Sequence, residues 1–173
     1  MRRTTALLTT AAIAAGLAGC STAEAAPTSA DVELVDYAFV GLPDELAAGA
    51  TITVDNTSAN ELHEFVALRL PDDEERGAEE LLALPPEELA AFFPGVATVL
   101  LQAPGSDEVI PAEGDGTLPD AGRYLVICAI PTGADPGEYL AAAAESEGGP
   151  PEGVAGGPPH FVNGMWAEVQ VVE

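Results

Sequence analysis

Residues 122–128 read Gly-Arg-Tyr-Leu-Val-Ile-Cys, and residues 160–172 read His-Phe-Val-Asn-Gly-Met-Trp-Ala-Glu-Val-Gln-Val-Val. The first stretch is rich in β-branched and aromatic residues and predicts a strand over Tyr124–Ile130. Successive side chains of a strand face opposite ways, so Tyr124 and Cys128 share one face. The alternation of the second stretch predicts a closing strand over Met165–Val172. Working outward, Val32–Val40, Ala50–Asn56, Leu62–Leu70 and Val96–Gln102 read as further strands, with a weaker one around Val109 and Ile110. Short strands broken by Gly, Pro, Asn and Asp predict an all-β, antiparallel sandwich. Two short helical insertions interrupt it. Pro71–Gly95 is acidic and helix-like over Ala78–Leu84, and Pro85-Pro86 opens a second turn. Between Ile130 and His160, Asp135 and Pro136 supply an N-cap and a first helical residue, Glu138–Glu145 continues the helix, and Gly148–Pro159 is a Gly/Pro-rich loop.

The 173 residues carry five Arg, no Lys and 29 acids, for a formal charge of −24. So acidic a surface repels phosphate and excludes nucleic acid as a partner. Two Cys can build neither a multi-disulfide scaffold nor a Cys-rich zinc module. The 47% hydrophobic content overstates the core, because 32 of those residues are Ala.

The N-terminus is an address. Arg2 and Arg3 form a basic start, Ala6–Ala18 is a short apolar run, and Leu17-Ala18-Gly19-Cys20 follows. This is an export signal too short to be a membrane span. Its last four residues resemble the bacterial lipobox, which implies cleavage before Cys20 and lipidation of its sulfur. An ordinary secretory signal with an incidental Cys is the plainer alternative. The residues around Arg2-Arg3 fit twin-arginine export poorly. The expected organisation is a lipoprotein signal peptide over 1–19, a flexible tether over 20–30 and one domain over 31–173. Such a protein is exported and held by acyl chains on the extracytoplasmic face of the cell membrane. Losing two Arg and no acids takes its side-chain charge from −24 to −26.

Setting aside Met1 and Cys20, the remaining Cys, His and Met residues are His63, Cys128, His160 and Met165. Taken singly, each has a plain reading: a small buried thiol, a core-edge imidazole, a loop imidazole and a gap-filling thioether. Taken together, two His, one Cys and a weak axial Met are the ligand set of a blue copper site. Thiolate and thioether favour Cu(I) and imidazole also suits Cu(II), so the mixed set can hold both states.

The order of these residues resembles the plastocyanin-like cupredoxins. Their ligand-bearing strand reads Gly-x-Tyr-x-x-x-Cys, as Gly122–Cys128 does, and is followed by His, four residues and Met, as at His160 and Met165. Upstream, Ile52–Asn56 followed by His63 is similar to the strand and loop that deliver the family's first His. The resemblance implies a Greek-key cupredoxin-like β-sandwich with one mononuclear type 1 copper. Cys128, His63 and His160 would lie in the trigonal plane and Met165 on the axis. It further implies a non-enzymatic carrier of single electrons between redox partners. Two departures stand out. The family has only a few residues between its Cys and second His, whereas Ala129–Pro159 inserts 31 here. Glu64 also stands where plastocyanins have an Asn that ties the ligand loops together.

Other functions use the same residues. A copper-delivering lipoprotein and a metal-free interaction module of the same fold are two alternatives. A zinc site from both His, Cys128 and a carboxylate such as Glu64 is another. A Cys–His nucleophile is disfavoured, because Cys128 sits in an apolar strand with no helix N-terminus to lower its pKa. No P-loop, dinucleotide fingerprint, metalloprotease helix or nucleophile elbow occurs. The expected partner of a monomer is a redox protein, basic or membrane-bound, steered by the acidic surface at low salt. General solubility accounts for that surface equally well.

Overall fold

The computed structural model describes residues 25–146, 151 and 153–173. The expected signal peptide, Cys20 and the expected tether up to residue 24 lie outside them. Among the described residues, ten strands form two sheets. The smaller contains β1 (Ser29–Val35), β2 (Ala38–Val40), β4 (Ala50–Asn56) and β8 (Thr117–Leu118), in the order β2-β1-β4-β8. The larger contains β3 (Glu45–Ala47), β5 (His63–Arg69), β6 (Val96–Gln102), β7 (Val109–Glu113), β9 (Gly122–Ile127) and β10 (Trp166–Val172). Its order is β3-β10-β9-β5-β6-β7. The chain passes repeatedly between the sheets, and their inner faces enclose one core. Val32, Leu34, Ile52 and Val54 of the small sheet meet Phe65, Leu101, Tyr124, Val126, Val169 and Val171 of the large one.

The sandwich is the expected one, with three corrections. The run Val32–Val40 is not one strand but a hairpin, with Val35 opposite Ala38 and Asp36-Tyr37 as its loop. Two-residue hairpin loops need a left-handed backbone. Tyr37 supplies it at φ 65°, so no glycine marks the turn in the sequence. The sheets are also not purely antiparallel. β1 pairs in parallel with β4, and β3 with β10. Between β1 and β4 the chain visits the other sheet, and that crossover is what permits parallel pairing. Finally, β3 and β8 were not expected. They have three and two residues, too few for any periodicity to show.

The large sheet is covered on both faces. Its outer side packs Val66, Leu68, Leu125 and Ile127 against Ala78 and Leu81 of helix α1 (Ala78–Leu82). This explains why β5 is buried almost throughout instead of alternating. The first insertion, which includes α2 (Pro86–Leu89) and a 3₁₀ turn over Ala90–Gly95, thus closes a second, smaller core. Arg123 holds it down by donating to the carbonyls of Glu74 (2.7 Å) and Arg76 (2.6 Å). The second insertion carries α3 (Pro136–Glu145), capped by Asp135, whose carboxylate accepts from the Glu138 amide at 2.9 Å. No helix among the described residues is long and apolar enough to cross a membrane.

Gly116 stitches the two sheets together. Its amide donates to Thr98 Oγ1 (2.9 Å), and its carbonyl accepts from Ile52 N–H (2.8 Å). At φ +88° a Cβ would lie 2.7 Å from the Ile52 carbonyl oxygen. Gly116→Ala is expected to lower unfolding free energy by about 2–3 kcal/mol. A urea titration with unchanged m-value would register this as a fall in midpoint.

Candidate metal centre

Neighbouring strand ends deliver the site. His63 is the first residue of β5, and Cys128 follows directly on β9. The two strands are antiparallel partners, with Val66 opposite Ile127. That register carries the start of one past the end of the other, and the Glu64 amide approaches Cys128 Sγ at 3.5 Å. Upstream, Asn56 organises the loop leading to His63. Its side chain donates to the carbonyls of Glu61 (3.0 Å) and Gln102 (2.7 Å) and accepts from the Ser58 amide (2.9 Å).

The 31-residue excursion after Cys128 does not displace His160. The chain leaves and returns through a pinch in which Pro131 and Pro159 form a bridge. Thr132 N–H donates to Pro158 (3.1 Å), Gly157 N–H to Thr132 (2.8 Å), and His160 N–H to Ile130 (3.0 Å). Phe161 N–H then donates to the Cys128 carbonyl at 2.9 Å. A 3₁₀ turn over His160–Asn163 follows, ended by Gly164 at φ 106°. This turn brings the Met165 carbonyl to the Cys128 amide at 3.2 Å.

The result is a tight cluster. His63 Nδ1 lies 3.2 Å from His160 Nδ1, and Cys128 Sγ lies 3.3 Å from His160 Nδ1 and 4.0 Å from His63 Nδ1. All three residues are fully buried. Donor atoms sharing one ion at about 2.0–2.3 Å sit roughly 3.3–4 Å apart, so this spacing fits a single metal. The donor chemistry agrees: two imidazole nitrogens and a sulfur lie side by side in the interior. Met165 is also fully buried, within the core cluster that contains Cys128.

The electrostatics follow from burial. Desolvation, and secondarily the nearby Glu64 carboxylate, pushes the Cys128 thiol far up. Desolvation holds the His63 imidazole below its ordinary value, and proximity to His160 adds to this. His160 is likewise lowered by burial. Neutral imidazoles are ready to ligate, while the thiol needs a cation to become a thiolate. The same burial speaks against Cys128 as a nucleophile.

Glu64 is not solvent-facing. It is 4% exposed, its Oε1 accepts from the Ala129 amide at 2.9 Å, and Tyr139 of α3 donates to its Oε2 at 3.3 Å. It therefore ties β5 to the residue after Cys128 and to the second insertion. Its carboxylate is engaged there, and the His–Cys–His cluster forms without it.

Two acidic residues near the cluster had no signal in the sequence. Asp36 Oδ1 lies 3.5 Å from His63 Nε2, and Glu61 Oε2 lies 3.4 Å from His160 Nε2. With 29 acids in the chain, nothing in the order of residues singles these out. Tyr37, from the same hairpin loop as Asp36, sets its ring edge-on to His160 at 5.4 Å between centroids.

No family model matches the chain, and no curated protein does. Among solved structures it is similar to three auracyanins. The dithionite-reduced auracyanin of the photosynthetic bacterium Roseiflexus castenholzii is 22% identical, with a TM-score of 0.46, over 86% of this chain and 100% of that one. Auracyanin B is 17% identical, with a TM-score of 0.42, over 88% of this chain and 94% of that one. Auracyanin A, a blue copper protein from the green thermophilic photosynthetic bacterium Chloroflexus aurantiacus, is 20% identical, with a TM-score of 0.40, over 83% of this chain and 99% of that one.

Proposed function

We propose that this protein is a type 1 copper protein that carries single electrons outside the cytoplasm, tethered to the membrane through lipid on Cys20. The observation that carries the reading is the buried convergence of His63 Nδ1, Cys128 Sγ and His160 Nδ1 within 3.2–4.0 Å of one another. These three residues would hold the copper, and the buried Met165 thioether would add a further, weaker sulfur donor. Bound copper would supply a one-electron couple between Cu(II) and Cu(I). The chain's part is to keep its ligands in place while the charge changes. His63 and Cys128 stand at the ends of paired strands, and the pinch fixes His160, so little reorganisation accompanies transfer. Burial excludes water from the ligands, and the Glu64 amide supports the Cys128 sulfur. This enclosure favours a carrier over a protein that hands its metal on. The partner is a redox protein drawn to the acidic surface. Val162, 60% exposed two residues after His160, offers it apolar contact close to the site.

Copper titration tests the reading. Adding Cu(II) to mature protein is expected to give an intense visible band that saturates at one ion per chain and bleaches reversibly on reduction. A colourless protein at full copper loading would reject it. Tight zinc binding in its place would point to the structural-metal alternative.

A further inference from the structure

The two histidines face the cluster through Nδ1 and turn Nε2 away from it. Both Nε2 atoms are buried, and neither makes a hydrogen bond of ordinary geometry. Each instead faces one carboxylate oxygen: Asp36 Oδ1 at 3.5 Å behind His63, and Glu61 Oε2 at 3.4 Å behind His160. Both oxygens are held from elsewhere. Ser58 Oγ donates to Asp36 Oδ1 at 2.5 Å, and the Gly133 amide donates to Glu61 Oε2 at 3.1 Å. Ser58 Oγ also accepts from the Glu61 amide at 3.1 Å, which links the two supports. The carboxylates arrive on unrelated segments. Asp36 comes from the β1–β2 hairpin loop, and Glu61 from the loop before β5, anchored to the excursion after Cys128. The same arrangement is thus built twice, once behind each imidazole.

We infer that Asp36 and Glu61 are positioning residues, each fixing one histidine with Nδ1 toward Cys128 and placing a negative charge behind the ring that favours the more oxidised metal. An imidazole whose Nε2–H faces a carboxylate presents the Nδ1 lone pair to the metal and becomes a stronger donor. Two such donors stabilise Cu(II) more than Cu(I). The inference rests on the copper reading above and adds the residues that set how strongly each oxidation state is held.

The test compares reduction potentials of copper-loaded mature wild type, Asp36→Asn, Glu61→Gln and the double variant. The amides keep shape and a carbonyl acceptor while removing the charge. Each single change is expected to weaken Cu(II) relative to Cu(I) about tenfold, a rise of about 59 mV for a one-electron couple, with the visible band retained. The double variant should shift further than either single one. Asp36→Glu and Glu61→Asp should move the potential less than the amides do. Blue variants whose potentials match wild type would overturn the inference, even if their unfolding midpoints fall, since that pattern marks a purely structural role. If wild type stays colourless with copper, the copper reading fails separately, and zinc affinity becomes the readout. A loss of about tenfold in the amide variants would then uphold the positioning role, and unchanged affinity would overturn it.

Discussion

In a Cys128→Ser variant, added Cu(II) is expected to bind without the intense visible absorption of the wild type. That absorption needs a thiolate bonded to copper, and Cys128 is the one free cysteine among the described residues. The hydroxyl oxygen is harder, holds Cu(I) poorly and ionises with more difficulty than the thiol. The variant should therefore lose reversible cycling together with the colour. His63 Nδ1 and His160 Nδ1 remain 3.2 Å apart, so some Cu(II) affinity should survive. Burying a hydroxyl in place of the thiol costs about 1–3 kcal/mol, and an unfolding curve separates that loss from the spectral one. A variant that stays blue would remove Cys128 from the ligand set.

The other large effect is expected at Glu64, where stability is the readout. Glu64→Ala strands the Ala129 amide and the Tyr139 hydroxyl in the interior. At about 1–3 kcal/mol for each stranded group, the variant should lose about 3–5 kcal/mol. Glu64→Gln should behave in the opposite way at neutral pH. Burial raises the Glu64 carboxyl from 4.5 to about 7, against the hydrogen bonds from Ala129 and Tyr139 that lower it. Between those two values the folded chain binds a proton that the unfolded chain has released. Stability is then complete below the unfolded value and falls as pH rises through about 7. The shift corresponds to a loss of about 3 kcal/mol. From pH 4 to 8, the urea midpoint of metal-free wild type should fall relative to that of metal-free Glu64→Gln, because the opposing contribution of the buried histidines is common to both proteins. Parallel pH profiles for the two proteins would refute it.

The strands that mattered most for the site were the most legible. β5, β6, β9 and β10 are long apolar runs, and their expected bounds lie within about two residues of the real ones at most ends. Asp135-Pro136 announced α3 because an N-cap and a first-turn proline are local chemistry. The hairpin at Asp36-Tyr37 stayed hidden because Tyr37 adopts a left-handed backbone that sequence associates with glycine or asparagine. The parallel pairings stayed hidden because they depend on which sheet the chain visits between partners. At the site, the rarity of Cys, His and Met exposed the cluster. The abundance of acids concealed the carboxylates behind it. Glu64 read from sequence as a departure, and only its depth shows that it ties two loops together.

The bridge between Pro131 and Pro159 separates the length of the excursion from the position of His160. Closing a longer loop on a fixed stem costs only about 0.6 kcal/mol per doubling. The loop between Thr132 and Gly157 could therefore grow, shrink or be exchanged with the return point unchanged, provided the Gly133 amide still holds Glu61. Tyr139 is the one residue of α3 described here that reaches back to the site's supports, through Glu64. The stem thus works as a docking port in the evolutionary sense: new recognition surfaces can be grafted beside the His63–Cys128–His160 cluster while the ties to Glu61 and Glu64 are kept.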